Sequence, residues 1–346
     1  NQVSDSVLDG ASFATRTVKG LAVQATSVQQ IGAVTAVAGG GAVGAAGAAV
    51  NVDQIGGSTR AYIDTARFVQ DTAGANAAQG LDVMAANHAM IASSASALAI
   101  GAVGVAGAVG TEIIDRSTRA EIIGGARVFA KGDAAVNAVA TNSVAQISAG
   151  GGGGAGIGIA GSGDVVLLKS NTLARVDQSS IDAENVSVQA NGSNSTNLIA
   201  GSVGVGGVAG AGMSFTVNVS GSTVRALVND SAIRADGAVN VRATNATAEL
   251  AVAATLGAGE FGGVAMGAVV SVMEGLTEAS ITGNSSVDAR TQDADHTGAA
   301  SLTVAAKETV DISHNAGAAG VGKLGGVGTA VNVVIGKSRV IAGAAG

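Results

Sequence analysis

The chain contains no proline, no cysteine and no tryptophan, and aromatic residues make up only 2% of its 346 positions. Each absence excludes something. Without cysteine there is no disulfide framework and no thiolate metal site. Without large aromatic side chains, the interior must be built from Val, Ile, Ala and Gly, which places its layers close together. Proline removes a backbone donor, so its complete absence fits strands that are flanked on both sides and need every N–H. Charge is also scarce. Charged residues are 12% of the chain and the formal net charge is −7. No clustered basic face is present, which argues against nucleic acid and against a polybasic membrane patch. No strongly apolar run reaches the roughly 18 residues of a membrane-spanning helix, so insertion of this segment into a membrane is not expected. At 47% hydrophobic residues the composition is also the reverse of a disordered chain.

What is abundant is glycine, 54 residues of it, arranged in recurring blocks. Gly/Ala/Val-rich blocks open at Gly39, Gly101, Gly150, Gly201, Gly257 and Gly317, giving spacings of 62, 49, 51, 56 and 60 residues. A period of this size marks a repeat architecture, in which stacked units share one core. A polar strand follows each block: STRAYI (58–63), STRAEI (117–122), NTLARV (171–176), STVRALV (222–228), LTEASI (276–281) and KSRVIA (337–342). A second, alternating strand also recurs: LAVQATS (21–27), LDVMAAN (81–87), AVNAVATN (135–142), VSVQANG (186–192), VNVRATN (239–245) and LTVAAKE (302–308). Alternation places Val186, Val188 and Ala190 inward and Ser187 and Gln189 outward. Asn191-Gly192, Asp236-Gly237 and Gly283-Asn284 read as turns, since Asn and Gly tolerate positive φ. In the blocks themselves, bare backbone lets layers approach closely.

These features predict an all-β fold, a right-handed parallel β-helix (β-solenoid) with one large coil or two smaller ones per repeat of about 50–60 residues. The alternative is an array with antiparallel strands inside each unit. Asn1 lies inside a repeat and Gly346 falls just after another opens, so the expectation is one continuous array over residues 1–346, cut from a longer chain. Extra residues collect at one phase of the repeat, in the loops 70–80 and 291–301, and insertions at one phase map to one face of a solenoid.

Motifs for chemistry are weak. Strings such as GAVGVAG have nucleotide-loop glycine spacing, but none opens a helix or carries GK[ST]. Gly161–Asp164 (GSGD) echoes a calcium-binding nonapeptide once and reads as a turn. His88, His296 and His314 have no histidine at a ligand spacing. Asp293, Asp295 and His296 sit together in the second inserted loop; they read as a solvated tip, with a cation or partner contact as the sharper alternative. Arg60 and Arg119 share one phase, with Arg175 and Arg225 one residue off it. Such charges keep strands soluble and resist edge pairing; a polyanion stripe is the alternative. Neither clustered carboxylates nor aromatic sugar platforms are evident, so an enzyme, a cofactor and a metal are not expected.

The VxVxA strand, the STxxAxI strand and the GxVGVGGxAGxGxSxxVN block, best seen in residues 201–233 and 257–281, together resemble repeats of giant bacterial filamentous adhesins, the hemagglutinin-like and leukotoxin-type secreted proteins. The resemblance implies export from a bacterium, display at the cell surface, and a structural role in adhesion, aggregation or biofilm. Implied partners are neighbouring copies along the solenoid axis and a host or neighbouring cell surface. A second expectation, from the residues, is a binding module in which the loops 70–80 and 291–301 contact a glycan, a cation or a protein.

Overall fold

The computed structural model describes residues 7–9, 12–14, 19–70, 76, 79–289 and 300–345. Within them there are strands and turns and no helix. A short antiparallel hairpin, β1 (Val7–Asp9) and β2 (Ser12–Ala14), precedes six circuits of chain. The first circuit is β3 (Lys19–Gly40), β4 (Gly44–Asp64) and β5 (Arg67–Gln70). In the second, β6 (Gln79–Ile123) runs out and back as one strand and is followed by β7 (Arg127–Ala130). The third repeats this with β8 (Ala134–Asp177) and β9 (Ser180–Ala183). The fourth is β10 (Val186–Gly206), β11 (Ala209–Asn229) and β12 (Ala232–Ala235); the fifth is β13 (Ala238–Gly259), β14 (Gly262–Thr282) and β15 (Ser286–Ala289). The sixth has β16 (Ser301–Val321) and β17 (Gly326–Ala344).

Apart from β1–β2, every ladder is parallel, which excludes the antiparallel alternative among the described residues. Leu21, Leu81, Ala134, Val186, Val239 and Leu302 occupy one row, so successive circuits advance the chain by 60, 53, 52, 53 and 63 residues. Each repeat therefore makes one large circuit. Outgoing strands form one stack, returning strands a second, and a bend joins them. Because β6 and β8 keep strand geometry through the bend, the two stacks are one ten-stranded sheet folded on itself. The short strands form a five-stranded sheet that nearly closes the open side, which we call the base.

Side-chain volume explains the cross-section. At the base three walls meet, and the gap is filled by Val186, Val188, Ala190, Val224, Ala226, Val228, Ile233 and Ala235, all buried, as are their equivalents in neighbouring circuits. Ser187 and Gln189 alternate outward, as the sequence pattern predicts. Midway, a second apolar cluster includes Ile91, Val144, Leu168 and Leu198. At the bend the inward residues are Gly and Ala, and the two stacks meet backbone to backbone. A Cβ built on Gly204 would lie 1.9 Å from the Ala211 carbonyl oxygen, and one on Gly152 2.1 Å from that of Ile159. The sheet is thus wedge-shaped, broad at the base and thin at the glycine edge.

Two sequence expectations are corrected here. Asn191-Gly192 is not a turn but lies inside β10, where Gly192 leaves room for the side chains of Val224 and Asn245. Gly161–Asp164 is likewise strand, within β8, and Asp164 points into the wedge. Asp236-Gly237 and Gly283-Asn284 are turns, and Gly283 has φ +67°.

Candidate functional site

The inserted loops fall at one corner. β5 ends at Gln70 and β6 begins at Gln79; β15 ends at Ala289 and β16 begins at Ser301. Both connections lead from the short sheet back to the outgoing stack. Asp293, Asp295 and His296 lie outside the described residues.

Polar residues inside the wedge are more informative. Arg116, only 3% exposed, donates through Nη2 and Nε to Asn87 Oδ1 at 2.5 and 3.0 Å. Asn87 Nδ2 donates to Asn142 Oδ1 (3.4 Å), and Asn142 Nδ2 to Asn194 Oδ1 (2.8 Å) and Ser170 Oγ (3.0 Å). Asn194 Nδ2 donates to Ser222 Oγ (3.0 Å), Ser222 Oγ to Asn245 Oδ1 (2.9 Å), and Asn245 Nδ2 to Glu308 Oε1 (3.2 Å). Every bond in this spine donates in the same direction, from a guanidinium in the second circuit to a carboxylate in the sixth. Aligned dipoles in a low-dielectric interior polarise one another, so a complete chain is worth more than its separate pairs. Burial pushes the Arg116 pKa below its ordinary value, and Gln29, Gly56, Ser27 and Thr59 supply its other acceptors. Replacing Asn142 by alanine strands buried groups on Asn87, Asn194 and Ser170; the expected loss is about 2–3 kcal/mol in urea denaturation, against about 1 kcal/mol or less for Ser170→Ala. A loss under about 0.5 kcal/mol for Asn142→Ala would show that the spine carries no stability.

Nearer the glycine edge lies a pair of buried carboxyls. Ser93 Oγ donates to Glu112 Oε1 at 2.8 Å, and the Ser148 hydroxyl donates to Asp164. Gln146 stands between them; with its amide nitrogen facing Glu112, that nitrogen lies 2.7 Å from Oε1. Glu112 Oε2 and Asp164 Oδ2 have no hydrogen-bond partner. Burial, which disfavours the charged form, pushes the Glu112 carboxyl up to about 8 and that of Asp164 up to about 7. Both are therefore largely protonated in mildly acidic solution.

A third polar group sits in the last circuits. Glu249 Oε1 is 2.9 Å from His314 Nε2, and Glu249 Oε2 accepts from Ser271 Oγ at 2.7 Å. His314 Nδ1 is 3.2 Å from Asn332 Oδ1. Hydroxyl and imidazole both address the carboxylate and not each other, so this arrangement does not activate the serine as a nucleophile. Among the described residues no group of three or more His, Cys, Asp and Glu could hold a metal ion.

On the outer surface the arginines are corrected. Arg60, Arg119, Leu173 and Arg225 share one row, so Arg225 is in phase; Arg175 lies in the next outward row, beside Glu121. The charges neutralise one another across rungs. Glu121 takes Arg60 Nε at 2.5 Å and Arg175 Nη2 at 2.9 Å, and Glu278 takes Arg225 Nε at 2.8 Å. A shallow groove of about 560 Å³ beside them is lined by Asp115, Lys169, Glu274 and Arg339 among others. Charges of both signs in it leave no stripe for a polyanion.

No protein-family model, curated protein or solved structure matches the chain. Its reading therefore rests on its own residues.

Proposed function

We propose that this chain is a structural segment, a right-handed parallel β-solenoid within an extracellular bacterial filament that serves adhesion, cell aggregation or biofilm. The observation that carries the reading is the continuity of the ladders. Outgoing and returning strands each stack through all six circuits with one row per residue, and the interior is filled along its length by apolar, amide and glycine rows. Such an object grows along its axis by adding circuits and is stiff across it, which suits a stalk. Immunogold electron microscopy of the source cells, with antibody against residues 1–346, is the test. Label along thin surface fibres is the expected result; label confined to periplasm or medium, with no fibres, would overturn it.

One observation favours a second reading as a binding module: the described flanks bring both inserted loops to the same corner of the circuit. If those loops make the contact, deleting residues 71–78 and 291–299 abolishes adhesion while leaving the fibres intact.

A further inference from the structure

The wedge has two kinds of outer surface. On the returning stack, the outward rows beginning at Asp115 and Arg60 carry the charges described above. From the bend to the row of Val219, no outward residue is charged in any of the six circuits. Val105, Ile157, Met213, Phe215, Val264 and Met266 stand there 40–51% exposed. The bend does keep a charged pair in water, Glu260 with Lys323 at 2.6 Å, so the flat face and not the edge is the surface to be covered.

We infer that this face binds a second copy of the same chain, the two packing face to face about a two-fold axis that runs parallel to the strands between the third and fourth circuits. The rows themselves argue for it. One row reads Ala48, Gly107, Gly161, Met213, Met266, Thr329. The axis exchanges the third circuit with the fourth and the second with the fifth. It therefore sets Met213 over the partner's Gly161, and Met266 over the partner's Gly107. Both glycines have open space above them, with nothing within 4 Å of an added Cβ. The neighbouring row nearer the bend has the opposite order, Val103 and Ile157 followed by Ala209 and Gly262, so large again meets small. A face whose bulky half matches its own empty half is the signature of an isologous contact.

The area agrees. Six alternate positions at ~3.3 Å per residue and six rungs at ~4.8 Å give about 900 Å² per copy. A standard-size stable interface needs about 800 Å² per partner, and the largest apolar patch on a typical monomer is only about 300–600 Å². This pairing is lateral and does not depend on surface display.

Sedimentation velocity of the 346-residue chain tests it, with thermal melting as a check that each variant folds. Wild type is expected to be a dimer. Gly161→Met fills the hollow and is expected to weaken dimerisation more than about tenfold, equivalent to about 1.4 kcal/mol. The double variant Gly161→Met/Met213→Gly exchanges knob and hollow across the axis and is expected to restore the dimer. Ile147→Lys, on the outgoing stack, leaves it intact. A wild type that stays monomeric at about 100 μM, a concentration at which even a weak contact registers, would overturn the inference. So would a dimer broken by Ile147→Lys, a dimer that Gly161→Met leaves intact, or a broken dimer that the double variant fails to restore.

Discussion

Gly204→Val is expected to destabilise the chain by on the order of 3 kcal/mol or more, while Gly201→Val, three residues earlier in the same strand, changes stability by no more than about 0.5 kcal/mol. The difference is one of side. Gly204 faces inward at the thin edge, where an added Cβ meets the Ala211 carbonyl oxygen at 1.9 Å and that of Gly158 at 2.8 Å. Both obstacles are backbone held in parallel ladders, so neither can rotate away as a side chain would. To admit valine the stacks must separate, and the separation spreads to the glycines above and below. Gly201 faces outward, and its nearest neighbour, the Ala254 carbonyl oxygen, lies at an ordinary 3.9 Å. There a β-branched residue suits the strand. Urea denaturation followed by far-UV circular dichroism measures both. Equal effects would mean that the stacks are not in backbone contact.

The second large effect is a pH dependence of the sense opposite to that of most salt-bridged proteins. Glu112 moves from an ordinary 4.5 to about 8, and Asp164 from 3.8 to about 7. Their folded-state values lie above their unfolded ones, so the folded state holds on to protons that the unfolded chain releases. The stability they contribute is fully present below about pH 4 and falls as pH rises, until it is gone near pH 8. Each unit of difference corresponds to about 1.4 kcal/mol, so the change is on the order of a few kcal/mol per carboxyl. The groups facing them, Ser93, Gln146 and Ser148 with Asp53 nearby, include no cation to offset it. The urea midpoint is therefore expected to be higher at pH 5 than at pH 8.5. The variant Glu112→Gln/Asp164→Asn is expected to flatten that difference and to exceed wild type at pH 8.5. A wild-type midpoint that rises between pH 5 and 8.5 would sink the account.

The amides that form the buried spine illustrate a signal that was present but pointed elsewhere. Asn87, Asn142 and Asn245 end the recurring alternating motifs, and asparagine there, as at Asn191, reads as turn chemistry. In the structure the strands continue for a further dozen residues or so, and Asn87, Asn142 and Asn245 point inward towards the returning stack. Nothing local separates an asparagine that closes a turn from one that hydrogen-bonds to a residue 52 positions away, as Asn142 does to Asn194. Arg116 and Glu308, the ends of the spine, carry no repeat signal at all, because each occurs once.

The residues by themselves determined the parallel array, the inward faces of the VxVxA strands, the Ala61–Ala342 row and the close approach of the glycine blocks. All of these follow from alternation and side-chain size, which are local and recur in every repeat. Tertiary structure alone decided that one repeat makes one circuit, that the blocks form a thin edge, and that Glu112 and Asp164 are buried beside each other. It also set the apolar rows of the returning stack in mirrored order. Those depend on register, the pairing of residues some 52 to 63 positions apart, and a register is fixed by the summed fit of a whole strand against its neighbours rather than by any residue within it.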